Sequence, residues 1–165
     1  MEADSLMTNP LLQSVQLALQ NATQKEALLY INKLVSFCIE RENGKVLSEW
    51  PKELIQLLIA YHIAKNTIII EKEGDKITGL GMWYNCNENA GLSFIDTWEP
   101  DTDGNAIFIG FLNAVDTKTF KRITERFIEV CPDALHKKII MLRLKRGITT
   151  RIETNSRLFN KILKI

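Results

Sequence analysis

Cysteine and glycine are scarce in this chain, and each scarcity removes a class of function. The three cysteines, Cys38, Cys86 and Cys131, are odd in number, far apart and in no metal-ligand spacing, which argues against both a disulfide framework and a zinc site. Such usage fits a reducing cytosol. The eight glycines form no P-loop, no dinucleotide-binding fingerprint and no nucleophile elbow. There are two histidines, His62 and His136, and neither has a cysteine near it in the sequence. No apolar run approaches the roughly 20 residues that span a bilayer. The N-terminus, MEADSLMTNP, carries acids where a secretory signal needs positive charge. The expectation is a cytoplasmic protein with no membrane span and no resident metal.

What is present is enough apolar material for one core. The chain has 165 residues, 45% of them hydrophobic, which suits a single domain with a short extension. The net charge of +1 hides an asymmetry. Residues 117–165 hold 13 Lys and Arg against four acids, leaving 8 basic and 16 acidic residues in 1–116. A basic C-terminal third points to an acidic partner, namely nucleic acid, a phosphate-bearing cofactor or an acidic carrier protein. The plainer reading has equal standing: the basic third folds against the acidic part, or is a solvated face.

Hydrophobic spacing gives an order of elements. Leu11, Leu12, Val15 and Leu19 predict an amphipathic helix within 1–23, an N-terminal extension free to pack on the domain or to mediate assembly. A second helix is expected over 24–41, with Leu28, Ile31, Leu34, Val35 and Cys38 on its inner stripe. Pro51 starts a third, apolar nearly all round and therefore buried, which stops at Asn66. Gly74-Asp75 then joins strands at 67–72 and 76–85 as a hairpin, and Gly79 and Gly81 mark a bulge or a close approach of another backbone. GLSFIDTW and 105–115 read as further strands. Asp116 caps a helix over 117–130, with Phe120, Ile123 and Phe127 inward. KKIIMLRLKRG is a strand, followed by a short strand at 149–154 and a short helix.

Few of these residues advertise chemistry. EPDTDGN, 99–105, matches the first calcium-loop positions, but its twelfth position is Gly110 rather than a bidentate glutamate, so a polar turn is the better reading. His62, among Ile55, Ile59 and Ile63, has the setting of a hydrogen-bonded core residue; a catalytic base is the alternative. Trp50, Trp83 and Trp98 are scattered and suit packing. The joint between the strand 105–115 and the following helix is the most suggestive feature, because the first N–H groups of a helix are unpaired and face outward. Asn113, Asp116, Thr117, Lys118, Thr119, Lys121 and Arg122 are the candidate donor- and phosphate-binding residues there. The row Lys118, Arg122 and Arg126 suits an acidic surface.

The order of helices, hairpin, strand, then strand–helix–strand resembles the GNAT acyltransferase fold. Residues 50–91, with their Trp-Pro, apolar helix, Asn before the hairpin and Trp in the second strand, resemble the toxin-activating lysine acyltransferases, a divergent GNAT branch. The resemblance continues through DGNAIFIGFLNAVDTKTFKRITERF and PDALHKKIIMLRLKR, covering roughly 50–146. It implies an α/β (α+β) fold: a GNAT-like mixed, largely antiparallel sheet flanked by helices, over 24–165. It also implies transfer of an acyl chain from acyl carrier protein, or from acyl-CoA as in the wider superfamily, to an amine. The branch's histidine falls on Leu47 and its aspartate on Gly110, so its catalytic pair is absent and activity is lost or rebuilt. His62 and Asp96 are the candidate replacement bases. The superfamily's glycine-rich pyrophosphate turn is replaced by DTKTFKR.

A second reading is a non-catalytic binding or structural module on the same fold, of the kind phages also encode, in the host cytoplasm or the virion. Its basic third would engage nucleic acid or an acidic protein. A steep loss of nucleic-acid binding with salt is the property that separates it from the first.

Overall fold

A computed structural model describes residues 24–42, 47–88, 103–146, 148–154 and 161. The expected N-terminal helix, the GLSFIDTW strand with Asp96, most of the EPDTDGN turn and all but one residue of the C-terminal helix lie outside those residues. The chain forms two compact units, 1–68 and 69–165.

In the first unit, α1 (Gln24–Arg41) packs against α2 (Lys52–Lys65). Ile31, Leu34, Val35 and Cys38 are buried as their spacing predicts, whereas Leu28, expected on the same stripe, is 45% exposed. Gln56 Nε2 donates to Asn32 Oδ1 at 2.7 Å, a polar tie between the two helices. A 3₁₀ turn, Leu47–Glu49, precedes α2, and the Leu47 N–H donates to both Glu42 carboxylate oxygens at 2.8 and 2.6 Å. Pro51 stands just before α2 as its N-cap. The helix ends at Asn66 in the left-handed conformation (φ 55°, ψ 40°), whose N–H returns to the carbonyls of His62 and Ile63. Residues 54, 55 and 57–62 of α2 are all buried, as an all-round apolar sequence requires.

The second unit is a five-stranded sheet in the order β1-β2-β3-β4-β5, made of β1 (Ile68–Glu73), β2 (Lys76–Cys86), β3 (Ala106–Ala114), β4 (Lys138–Lys145) and β5 (Ile148–Thr154). Gly74, at φ 60°, makes the β1–β2 turn with Asp75. β2–β3 and β4–β5 are antiparallel, while β3–β4 is parallel and is connected through α3 (Thr117–Val130) and a 3₁₀ turn, Pro132–His136. Period-two alternation sorts the side chains. Trp83, Ile107 and Ile139 form one core with Ile123 and Phe127 of α3, and Trp83 meets Phe127 edge-to-face at 4.9 Å. Tyr84, Phe108 and Ile140 neighbour one another across β2, β3 and β4, each at most 1% exposed.

Glycine sets how close α3 comes. A Cβ on Gly79 would lie 2.6 Å from Ile123 Cδ1 and 2.8 Å from Thr119 Cγ2. The neighbour is thus a pair of helix side chains rather than the backbone expected from sequence. The register break falls between Met82 and Trp83, and the extra residue is Gly110 on the facing strand β3.

Candidate functional site

The parallel pair β3–β4 is short for its strands. Cα partners run from Ala106↔Lys138 to Ile109↔Met141 and stop there, although β3 continues to Ala114 and β4 to Lys145. Across the other edge of β3, Trp83 faces Ile109 and Met82 faces Phe111, so Gly110 has a partner in neither neighbouring strand. A bulge bends its strand and strengthens the local twist. Its place, one residue past the last β3–β4 rung, gives the parting a physical cause. Beyond it the two strands part into a wedge, and among the described residues no other strand pairs with the β4-facing edge of β3.

The wedge leads to the N-terminus of α3. Val115 N–H donates to Thr78 O at 2.9 Å, fixing the end of β3. Asp116, with extended backbone (φ −151°, ψ 170°), caps the helix by accepting from Thr119 N–H at 2.7 Å. The bonds from Thr119 hold the Asp116 carboxyl below the usual range, with Arg122 and Lys118 adding in the same direction. The N–H groups of Thr117 and Lys118 have no acceptor within the helix. The site expected to cradle a phosphate therefore already holds one carboxylate of its own.

The sequence candidates separate by position. Thr117, Lys118 and Lys121 are exposed at the start of α3, and Asn113 is half-buried on β3 opposite Leu80. Thr119 is fully buried, its methyl directed at Gly79 and its hydroxyl accepting from Arg122 Nη2 at 3.3 Å. Arg122 and Arg126 both turn to Glu71 on β1. Arg126 Nη1 donates to Glu71 Oε1 and to Ile70 O, each at 2.7 Å. Arg122 Nε lies 3.4 Å from Oε2, near enough for charge attraction but not aligned as a hydrogen bond. Lys138 likewise reaches Glu88 at 2.6 Å and Glu153 at 3.3 Å. Two of the three residues in the basic row thus meet an acid of the same chain. That arrangement was invisible in sequence because Glu71 is some fifty positions away.

His62 belongs to the first unit. Its Nδ1 and Thr67 Oγ1 share a 2.7 Å hydrogen bond and the ring is 0% exposed. Burial, only partly offset by the Thr67 bond, pushes its pKa down to about 3. The imidazole is neutral at pH 7 and a weak proton acceptor. Among the described residues, no group of three His, Cys, Asp or Glu side chains is placed to hold a metal ion, and no helix is long and apolar enough to cross a membrane.

A cavity of about 40 Å³ lies between α3 and the sheet, with walls that include Gly81, Trp83, Ile109, Leu112, Ile123 and Phe127. Thr124 also lines it, and its hydroxyl donates to Phe120 O at 3.0 Å. Sequence reasoning missed both the cavity and the wedge, and the only local signal for either was the glycine at 81 and at 110.

No family model and no curated protein matches the chain. Among solved structures, it is similar to the loading GNATL domain of CurA from Lyngbya majuscula, with a TM-score of 0.54 and 14% sequence identity over 71% of this chain and 61% of that one. The chain spans about three fifths of that chain's length. The parallel pair β3–β4, the intervening helix and the mostly antiparallel five-stranded sheet accordingly form a GNAT-like fold.

Proposed function

We propose that this protein binds an acyl thioester, carried by acyl carrier protein or by coenzyme A, in the wedge between β3 and β4. The observation that carries the reading is the parting of the two strands after Ile109 and Met141, beside the unpartnered Gly110, in a GNAT-like fold. An extended pantetheine arm has amides that pair with an open strand edge much as an added strand would. Its thioester carbonyl would then lie near the bulge, where backbone N–H groups can face a developing oxyanion.

In the transfer we envisage, a bound amine attacks the carbonyl carbon. The C–N bond forms, the C–S bond breaks, and the proton lost by nitrogen passes through a base to the departing thiolate. Positioning supplies much of the acceleration of such a step. Asp96 is our assignment for the base; His62, fully buried, bonded to Thr67 and a weak proton acceptor, fits a core role instead.

Carrier protein is the donor we favour. Asp116 places a carboxylate where a pyrophosphate would otherwise meet the helix, which disfavours the nucleotide end of coenzyme A. Lys118 and Lys121 are exposed beside it and suit the acidic helices of a carrier. The CurA domain is a loading domain, which is consistent with a carrier-borne donor here. Asn113, Thr117, Thr119 and Arg122 would border the same entrance, Thr119 and Arg122 by shaping the helix start. Native mass spectrometry of the protein with acyl carrier protein and with coenzyme A, each bearing the same acyl group, tests the reading. A one-to-one complex with the carrier is expected; retention of neither donor would refute it.

A further inference from the structure

We infer that the acyl group is short and lodges in the cavity under α3, with Gly81 as the residue that sets its length; this rests on the donor reading above. Position is the first argument. Ile109, the last residue of β3 paired to β4, and Leu112, just past the bulge, both line the cavity. A chain attached to a thioester at Gly110 therefore has apolar space immediately beside it. Gly81 is the cross-strand partner of Leu112, and a Cβ there would point at Leu112 Cδ1 and Ile123 Cγ2, each 3.4 Å away. The missing side chain is what leaves the space open.

Chemistry and size narrow the occupant. The walls are mostly apolar, the exceptions being the Thr124 hydroxyl, which already donates to Phe120 O, and the indole N–H of Trp83, so the lining favours a small apolar group. A cavity of 150 Å³ takes benzene, so 40 Å³ is room for about two carbons, the size of an acetyl or propionyl chain. A long fatty chain would overfill it and would have to run out through its open side or displace α3. The packing leaves little slack for that, because Ile123 and Thr119 already press on Gly79 and Arg126 ties the helix to β1.

Two measurements test this. Xenon, a single apolar atom, should shift the methyl resonances of Ile109, Leu112 and Ile123 in NMR spectra of the whole protein, and Gly81→Val should abolish the effect. Of acetyl, propionyl, butyryl and octanoyl groups on one carrier protein, the first two should bind best, butyryl more weakly, and octanoyl at least about tenfold below propionyl. Gly81→Ala, whose methyl meets its neighbours at ordinary contact distance and so spares the fold, should weaken propionyl more than acetyl. Equal binding of all chain lengths, or a preference unmoved by Gly81→Ala, would overturn the inference and leave the donor reading standing. Binding of no thioester despite xenon uptake would overturn both, and no xenon uptake would remove the cavity as an acyl site.

Discussion

Gly79 and Gly81 lie on the same face of β2, yet α3 demands different things of them. At Gly79 an added methyl would collide with Thr119 Cγ2 at 2.8 Å as well as with the flexible end of Ile123. Thr119 is β-branched and stiff, so Gly79→Ala should destabilise the protein by about 1–3 kcal/mol through overpacking. Gly81→Ala should change stability by less than about 1 kcal/mol, since it meets only ordinary contacts. Urea unfolding of the two variants checks the contrast. His62 gives a pH prediction. The unfolded chain takes up a proton near pH 6.5 and the folded chain only near 3. Stability is full above the first value and falls as the pH drops toward the second, by up to about 1.4 kcal/mol per unit. His62→Gln should flatten that part of the acid profile in unfolding curves taken between pH 7 and 4.

α3 is held as an element by its cap, its buried face and its ion pairs. Asp116 supplies the cap, so Asp116→Asn should keep the helix start while Asp116→Ala weakens it in thermal unfolding. Because the folded-state pKa is lowered, the carboxylate's contribution is present at neutral pH and lost as the pH falls through that value. The asparagine variant should lack this loss. Glu71 joins Arg122 and Arg126, which are 36% and 49% exposed. Such pairs are screened, so Glu71→Gln should cost no more than about 1 kcal/mol at low salt, and less in 1 M salt. The cap of α3 was legible in sequence because Asp116 and Thr119 are three residues apart. The helix limits were legible too, as were the αL stop at Asn66 and the Gly74-Asp75 turn, for the same reason of local chemistry.

Across the whole molecule, the basic C-terminal third is partly spent on the chain's own acids, through Glu71, Glu88 and Glu153. The charge asymmetry therefore overstates what is offered to a partner. Lys118 and Lys121 are the exposed basic residues at the start of α3, and their role as the carrier's landing point is a proposal with a direct test. The double variant Lys118→Glu, Lys121→Glu should lower affinity for acyl carrier protein by about tenfold or more at low salt, mainly through slower association. The difference should shrink as salt rises. Surface plasmon resonance across a salt series would read both rates.

By itself, the sequence determined the elements that rest on neighbours along the chain: the apolar periodicity of α1 and α3, the all-round apolar run of α2, the caps, the hairpin turn, and the order that resembled a GNAT fold. Those signals operate over three or four residues. The wedge, the cavity and the fate of Arg122 and Arg126 required the folded chain. Each depends on strands and helices brought together from distant positions, and the wedge also on a one-residue bulge at Gly110 that alternation alone does not reveal. The same glycine, which in sequence marked an absent catalytic acid, is in the fold the residue beside which two paired strands part.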